Sequence, residues 1–284
     1  MHNIPTFISY NMRVGNSKKK ITKAGIMQNN YKVDLNILKK NEKYRKLASF
    51  SNSAVYVPEN SEYPFVSIIC NSENESPFSI TSKGNIRFHN NITVEDEDIF
   101  FGSELLCKKN TELFDSRYRK PPESRLNHES LKKNMSLFFM YSKTGIPYDK
   151  FFNVEPVFQN ENTDGLLRKM EGYGSGLTPE GDDFILGYNI GMELSGRADQ
   201  KYLNNNMNRY SANLDVLFSN FLFPEFLLEI LEGLYSKSGT RKNRILAAIT
   251  KTSRFGNSTG FSICDGLFYA LSHERSELES LKKN

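Results

Sequence analysis

The sequence predicts an α+β protein: a β-rich N-terminal part, forming a small antiparallel or barrel-like sheet, followed by a mainly α-helical C-terminal part. Three observations carry that expectation. Short β-branched and aromatic runs alternate with turn-formers between residues 54 and 101. The apolar period lengthens to that of a helix after residue 120. Pro121-Pro122 punctuates the change. Only 38% of the 284 residues are hydrophobic, yet 21 Phe and 14 Tyr supply enough bulk for one large core or two modest ones.

The expected strands are Ala54-Val55-Tyr56-Val57, Phe65 to Cys70, Phe78 to Thr81, Ile86 to His89 and Ile99 to Phe101. Pro58-Glu59-Asn60 and Asn71-Ser72-Glu73-Asn74 separate them, and Lys83-Gly84-Asn85 reads as a hairpin turn, since Gly and Asn tolerate positive φ. In the second part Leu131, Met135, Phe138 and Phe139 recur at helical spacing. Pro224-Glu225 opens a helix whose stripe is Leu227, Leu228, Leu231, Leu234 and Tyr235. Ile245, Leu246 and Ile249 form a shorter stripe, and Arg275 to Asn284 reads as a charged, frayed helix end or tail. The expected organisation is a basic arm or irregular segment (residues 1–50), a β-rich domain (51–115) and a helical domain (120–284).

The net charge of +4 is uneven. Residues 1–50 hold eleven Lys and Arg against Asp34 and Glu42, a net of +9 that leaves −5 for the rest. Such an arm suits nucleic acid or an acidic partner. No aromatic-studded RNA motif or DNA-reading helix accompanies it, which favours a solvated Lys- and Asn-rich segment, with nucleic acid not expected as a partner. No run of 18 apolar residues occurs, so no membrane helix is expected. Met1 to Pro5 lacks a basic flank leading into an apolar stretch, so no secretory leader is expected either. Cys70, Cys107 and Cys264 form no CxxC pair, which fits a reducing cytoplasm. His2, His89, His128 and His273 lie far apart, so no histidine metal site is expected.

The informative segment is Gly172-Tyr173-Gly174-Ser175-Gly176-Leu177-Thr178-Pro179-Glu180-Gly181-Asp182-Asp183-Phe184. Glycine at every second position suits neither helix nor strand and describes a sharp bend. Thr178 reads as an N-cap, Pro179 as the first helical residue and Glu180 as an acid suited to the positive end of the helix dipole. The helix should run to about Ser195, with Phe184, Ile185, Tyr188, Met192 and Leu194 apolar. Gly187 and Gly191, four apart, leave a groove where another helix can come close. A glycine turn feeding a helix N-terminus offers N–H groups to a phosphate or carboxylate. Asp182 and Asp183 oppose an anion unless they take different tasks. Pointing about 100° apart on a helix, one can hold a ligand amide or Mg²⁺ while the other braces the turn; alternatively Thr178, Asp182 and Asp183 all merely brace it.

Better-known motifs fail. Asp182 stands where a P-loop needs Lys, Leu177 and Pro179 break GxGxxG, and Ser175 lacks the flanking glycines of a nucleophile elbow. A second segment, Gly256-Asn257-Ser258-Thr259-Gly260 before Phe261 to Phe268, repeats the grammar of a small polar turn entering a helix. Ser258 or Thr259 reads as its N-cap, and the two helix starts are candidates to face one pocket. Cys264 falls on the apolar face.

The pattern from Gly172 through Gly174, Gly176-Leu177-Thr178-Pro179, Gly181-Asp182-Asp183-Phe184 and Gly187 resembles the signature of the AllH family of oxamate carbamoyltransferase subunits. The strand around Pro77-Phe78-Ser79-Ile80 also resembles that family. So does the second turn, with Asn257 in place of the family's His, Thr259 in place of its second Ser and Ser262 in place of its Asp. The likeness spans roughly residues 50–272, and the basic first 50 residues stand outside it. The resemblance implies carbamoyl transfer in anaerobic allantoin degradation, oxalurate and phosphate giving oxamate and carbamoyl phosphate, together with AllF-like and AllG-like partner subunits. The candidate ligand-binding residues are Gly174, Ser175, Gly176, Thr178, Gly181, Asp182, Asp183, Asn257, Ser258 and Thr259. The catalytic candidates among them are Asp182, Asp183 and Thr178. No cofactor is expected, with Mg²⁺ as the alternative.

Overall fold

A computed structural model describes residues 26–27, 30–72, 75–106, 111–119, 163–235, 241–256 and 258–281. The chain forms two units, residues 1–116 and 117–284. The basic residues Lys18, Lys19 and Lys20, His2, Cys107, Pro121-Pro122, His128, the helix expected around Leu131 to Phe139, and Asn257 all lie outside the described residues.

In the first unit, strands form even where charge is dense. Tyr44 is buried between the exposed Lys43 and Arg45, the alternation of a strand with one wet face. The strands are β1 (Ile26–Met27), β2 (Tyr31–Asp34), β3 (Glu42–Ser49), β4 (Ser53–Pro58), β5 (Val66–Cys70), β6 (Ser79–Ser82), β7 (Asn91–Glu95), β8 (Asp98–Phe101), β9 (Glu104–Leu106) and β10 (Thr111–Phe114), with a short helix α1 (Leu35–Leu38) after β2. They make one ten-stranded sheet in the order β1-β9-β8-β7-β3-β4-β5-β6-β2-β10. β1 with β9, β5 with β6 and β2 with β10 run parallel, and the other neighbours antiparallel. The sheet is thus larger than expected and mixed. It also includes residues 31–34 and 42–49, which the sequence assigned to a basic arm: lysines on the wet face of β3 hid its period.

Two local expectations are corrected. Ile86 to His89 is not a strand, because side chains meet its backbone groups. The Ile86 N–H donates to Cys70 Sγ, and the carbonyls of Phe88 and His89 accept from Lys46 Nζ and Tyr56 Oη. Lys83-Gly84-Asn85 therefore joins no hairpin. A tight hairpin lies instead at Asp96-Glu97, whose φ of 49° and 65° suit the two central positions between paired Glu95 and Asp98.

Asp34 closes β2 with a fully buried carboxylate. Its Oδ1 accepts from the Asn36 N–H and side-chain amide (3.1 and 2.8 Å), and its Oδ2 from the Phe78 N–H and Ser116 hydroxyl (2.8 and 2.7 Å). One carboxylate thereby ties α1, the approach to β6 and the end of the unit together. Asp34→Ala should lower the stability of this unit by about 2–3 kcal/mol, because buried donors lose their acceptor. Urea denaturation followed by circular dichroism checks it.

The second unit is helical: α2 (Thr163–Met170), α3 (Glu180–Leu194), a 3₁₀ turn (Ala198–Gln200), α4 (Arg209–Ser219), α5 (Glu225–Tyr235), α6 (Arg241–Thr252) and α7 (Thr259–Leu281). α3 and α7 cross with almost no side chain between their backbones. A Cβ on Gly187 would fall 1.9 Å from the Ile263 carbonyl oxygen, and one on Gly266 1.9 Å from that of Phe184. Leu166, Leu167, Met170, Phe184, Ile185, Tyr188, Met192 and Ala270 pack as one cluster around the crossing. On α5, Leu227, Leu231 and Leu234 are buried, as their spacing predicts, together with Phe226 and Ile230. Ile249 of α6 is buried but Leu246 is exposed, and Lys251 joins the two helices through Glu225 and Glu229 (2.5 and 3.1 Å). α7 is helical to Leu281, so the charged stretch from Arg275 continues that helix. No described helix is long and apolar enough to cross a membrane.

Candidate functional site

The glycine turn between α2 and α3 is shaped by φ angles that L side chains rarely adopt: +100° at Gly174 and +111° at Gly176. Its neck is closed by the Tyr173 N–H donating to the Met170 carbonyl and the Gly181 N–H donating to the Tyr173 carbonyl (2.9 and 2.8 Å). Gly181 lies so close to α2 that a Cβ there would sit 1.8 Å from the Met170 carbonyl oxygen. The segment from Gly172 to Leu177 is exposed, including Tyr173 at 54% and Leu177 at 45%. The amides of Gly174, Ser175 and Gly176 make no hydrogen bond to another described residue.

Helix α3 starts one residue later than expected. Pro179 occupies the cap position and offers no side-chain bond, while the Asp183 N–H reaches its carbonyl at 3.0 Å. Thr178 does not cap the helix. Its hydroxyl stands 3.1 Å from Asp183 Oδ2 and 3.1 Å from the Thr259 hydroxyl at the start of α7. The two turns that share a grammar in the sequence therefore meet through one pair of hydroxyls, held in register by the glycine crossing below them.

The paired aspartates take different positions. Asp182 Oδ1 accepts from the Gly172 N–H and from Asn204 Nδ2, both at 2.9 Å, so Asp182 braces the turn. Asp183 is fully buried beside Thr178 and Thr259, and its Oδ1 has no hydrogen-bond partner among the described residues. Burial raises its pKa from the ordinary 3.8 to about 8; the Thr259 and Thr178 hydroxyls favour the charged form, and Asp182 and Glu180 oppose it. At neutral pH Asp183 is thus mainly an uncharged acid. Much of the repulsion that two carboxylates would direct at an anion here is removed.

Residues 202–208 form a strap over the turn that sequence reasoning missed. Asn204 reaches Asp182, Asn206 reaches Glu171 Oε2 (2.6 Å), and Asn208 Nδ2 donates to the Leu177 carbonyl (2.8 Å). Tyr202 Oη also donates to Glu171 (2.5 Å), and the bonds from Tyr202 and Asn206 hold that carboxyl below its usual range. Tyr202 is pinned in turn by a two-way amide exchange with Asn189 of α3. Asn208 also caps α4 through the amides of Tyr210 and Ser211. The available signal was asparagine at every second position, 204, 206 and 208, just before a helix start.

Of the other sequence candidates, Ser175 is exposed on the turn. The Ser258 carbonyl accepts both the N–H and the hydroxyl of Ser262 (3.0 and 3.1 Å), so Ser262 closes the first turn of α7 instead of facing outward. Cys264 is fully buried, which pushes its thiol pKa well up. No group of three or more His, Cys, Asp or Glu suited to a metal ion occurs among the described residues.

No curated protein and no solved structure matches this chain. Residues 170–271, from the last residue of α2 through the glycine turn and the strap into α7, match the model of the AllH family, the AllH subunit of oxamate carbamoyltransferase.

Proposed function

We propose that this chain is an AllH-type subunit of an oxamate carbamoyltransferase and that the turn from Gly174 to Asp183 seats an anionic reactant: phosphate, carbamoyl phosphate, or the carboxylate of oxamate or oxalurate. The reaction is carbamoyl transfer in anaerobic allantoin degradation. A phosphate oxygen attacks the carbamoyl carbon of oxalurate, the bond from that carbon to the oxamate nitrogen breaks, and the nitrogen takes a proton. AllF-like and AllG-like subunits complete the enzyme. The single observation that carries this reading is the set of unused amides at Gly174, Ser175 and Gly176, presented on an exposed turn ahead of a helix whose buried Asp183 has its pKa pushed up to about 8. Such donors also suit the negative charge that develops on the carbamoyl oxygen. No covalent nucleophile is needed when the reactants are held in line.

The complex reconstituted with its two partner subunits should phosphorolyse oxalurate. Gly176→Val should lower its turnover by about 10²–10³-fold, since a φ of +111° excludes a β-branched residue. Unchanged turnover would defeat the assignment of the reaction to this turn.

A second reading makes the chain a non-catalytic anion-binding or scaffold subunit, with the chemistry on its partners. The internal use of Asp182 and Ser262 favours it. Calorimetry on the isolated chain together with turnover of the Gly176→Val complex separates the two: unchanged turnover on loop mutation marks a non-catalytic chain, and the absence of oxamate and carbamoyl phosphate binding marks it further as a scaffold only.

A further inference from the structure

We propose that Asp183 is a positioning residue that acts through a relay of hydroxyls, setting whether Thr259 presents a hydrogen-bond donor or an acceptor to the ligand. The inference rests on the anion-binding reading above and goes beyond it by naming the residues that choose the ligand's polarity.

The geometry is a group of three: Asp183 Oδ2 lies 3.1 Å from Thr178 Oγ1, Thr178 Oγ1 lies 3.1 Å from Thr259 Oγ1, and the Thr259 hydroxyl also acts on the Asp183 carboxyl directly. A hydroxyl has one hydrogen to give, so the charge state of Asp183 biases whether the Thr259 hydrogen is used inward or left free. When Asp183 is ionised, Thr178 donates to the carboxylate, and Thr259 donates inward as well, to Thr178 or to the carboxylate itself. The hydrogen of Thr259 is then consumed, and it offers only lone pairs outward, which suit an amide N–H. When Asp183 carries a proton, its O–H donates to Thr178, Thr178 donates to Thr259, and the hydrogen of Thr259 is released for a carboxylate or phosphate oxygen. The group has an interior and an exterior end. Asp183 is fully buried, with its Oδ1 unpartnered, whereas Thr178 and Thr259 are both half-buried. Among the described residues, the charged groups acting on Asp183 are Asp182 and Glu180, on its own helix; the turn contributes Thr178 and α7 contributes Thr259, neither of which titrates.

The test uses sulfate, whose charge is constant over the range, binding to the full chain by calorimetry. Wild-type affinity should fall about tenfold or more between about pH 6 and about pH 10, the change expected for the loss of one charge-assisted bond. Asp183→Asn should remove that pH dependence. Thr259→Ala should bind about tenfold more weakly than wild type at the lower pH and no differently at the higher one, and Thr259→Ser should restore wild-type behaviour. Simple repulsion by an ionised Asp183 would instead leave the full slope in Thr259→Ala, and that result overturns the relay. Wild-type binding that is flat with pH, or no sulfate binding at all, overturns it too. If Asp183→Asn does not fold, the Thr259 pair decides alone. A pH-dependent sulfate site in a complex lacking carbamoyl transfer would reject the enzymatic reading and keep the relay. Transfer activity with pH-independent sulfate binding would do the reverse.

Discussion

Gly266→Ala is expected to cost the helical unit about 4 kcal/mol or more, enough to unfold much of it at room temperature. The added methyl would lie 1.9 Å from the Phe184 carbonyl oxygen and 2.8 Å from the Tyr188 nitrogen, both backbone atoms. A side chain can rotate away from such a contact, but a backbone cannot, so α3 and α7 must separate. Separation opens the cluster of Leu167, Ile185 and Ala270 beside the crossing. Gly187→Ala meets the Ile263 carbonyl in the same way. Gly196→Ala is the control, since a Cβ there touches nothing, although its φ of +76° carries some backbone strain. Chemical denaturation of the three variants checks the ranking; equal losses for all three would contradict a close-packed crossing.

The second large effect concerns pH and stability. Asp183 has a pKa of about 8 in the folded chain against an ordinary 3.8. Between these values the unfolded chain binds fewer protons than the folded one, so stability falls as pH rises. The stability linked to the neutral acid is fully present below about pH 4 and has been lost once pH passes about 8. Each tenfold difference in proton affinity between the folded and unfolded chains is worth about 1.4 kcal/mol, so the loss amounts to several kcal/mol. Asp183→Asn cannot ionise and should be flatter with pH, and more stable than wild type above pH 8. Urea midpoints at a series of pH values measure it; parallel curves for the two proteins would show that Asp183 is not buried as a neutral acid.

The parts that were legible in the sequence are those whose cause is local or periodic. The glycines at 187 and 191 announced a close helix approach, because a missing side chain at helical spacing has few other uses. β4, β5, β6 and β8 were legible as short apolar or β-branched runs bounded by turn-formers. β3 was not, since Lys43, Arg45 and Lys46 surround its one buried residue, Tyr44, and composition alone read them as an arm. β10 pairs with β2 over Thr111 to Phe114 although Glu112 and Leu113 are not buried, so its pairing leaves little trace in the apolar pattern. Within the site, the glycine turn and the aspartate pair could be found by spacing. The approach of Thr178 to Thr259 could not, because it depends on the register of α3 against α7, some eighty residues apart. The role of Asn204 was harder to read: the asparagines at 204, 206 and 208 mark the strap, but in an asparagine-rich chain nothing local says that Asn204 reaches Asp182.

The strap from Tyr202 to Asn208 has a consequence for how portable the signature is. The shape of the turn is dictated partly from outside it, by amides that follow α3 in the chain, and the Asp182 carboxylate is shared between the turn and that later segment. A transplant of residues 172–183 onto a foreign helix would carry the letters of the motif but leave its scaffolding behind. Any protein that borrows it must bring the stretch beyond α3 as well.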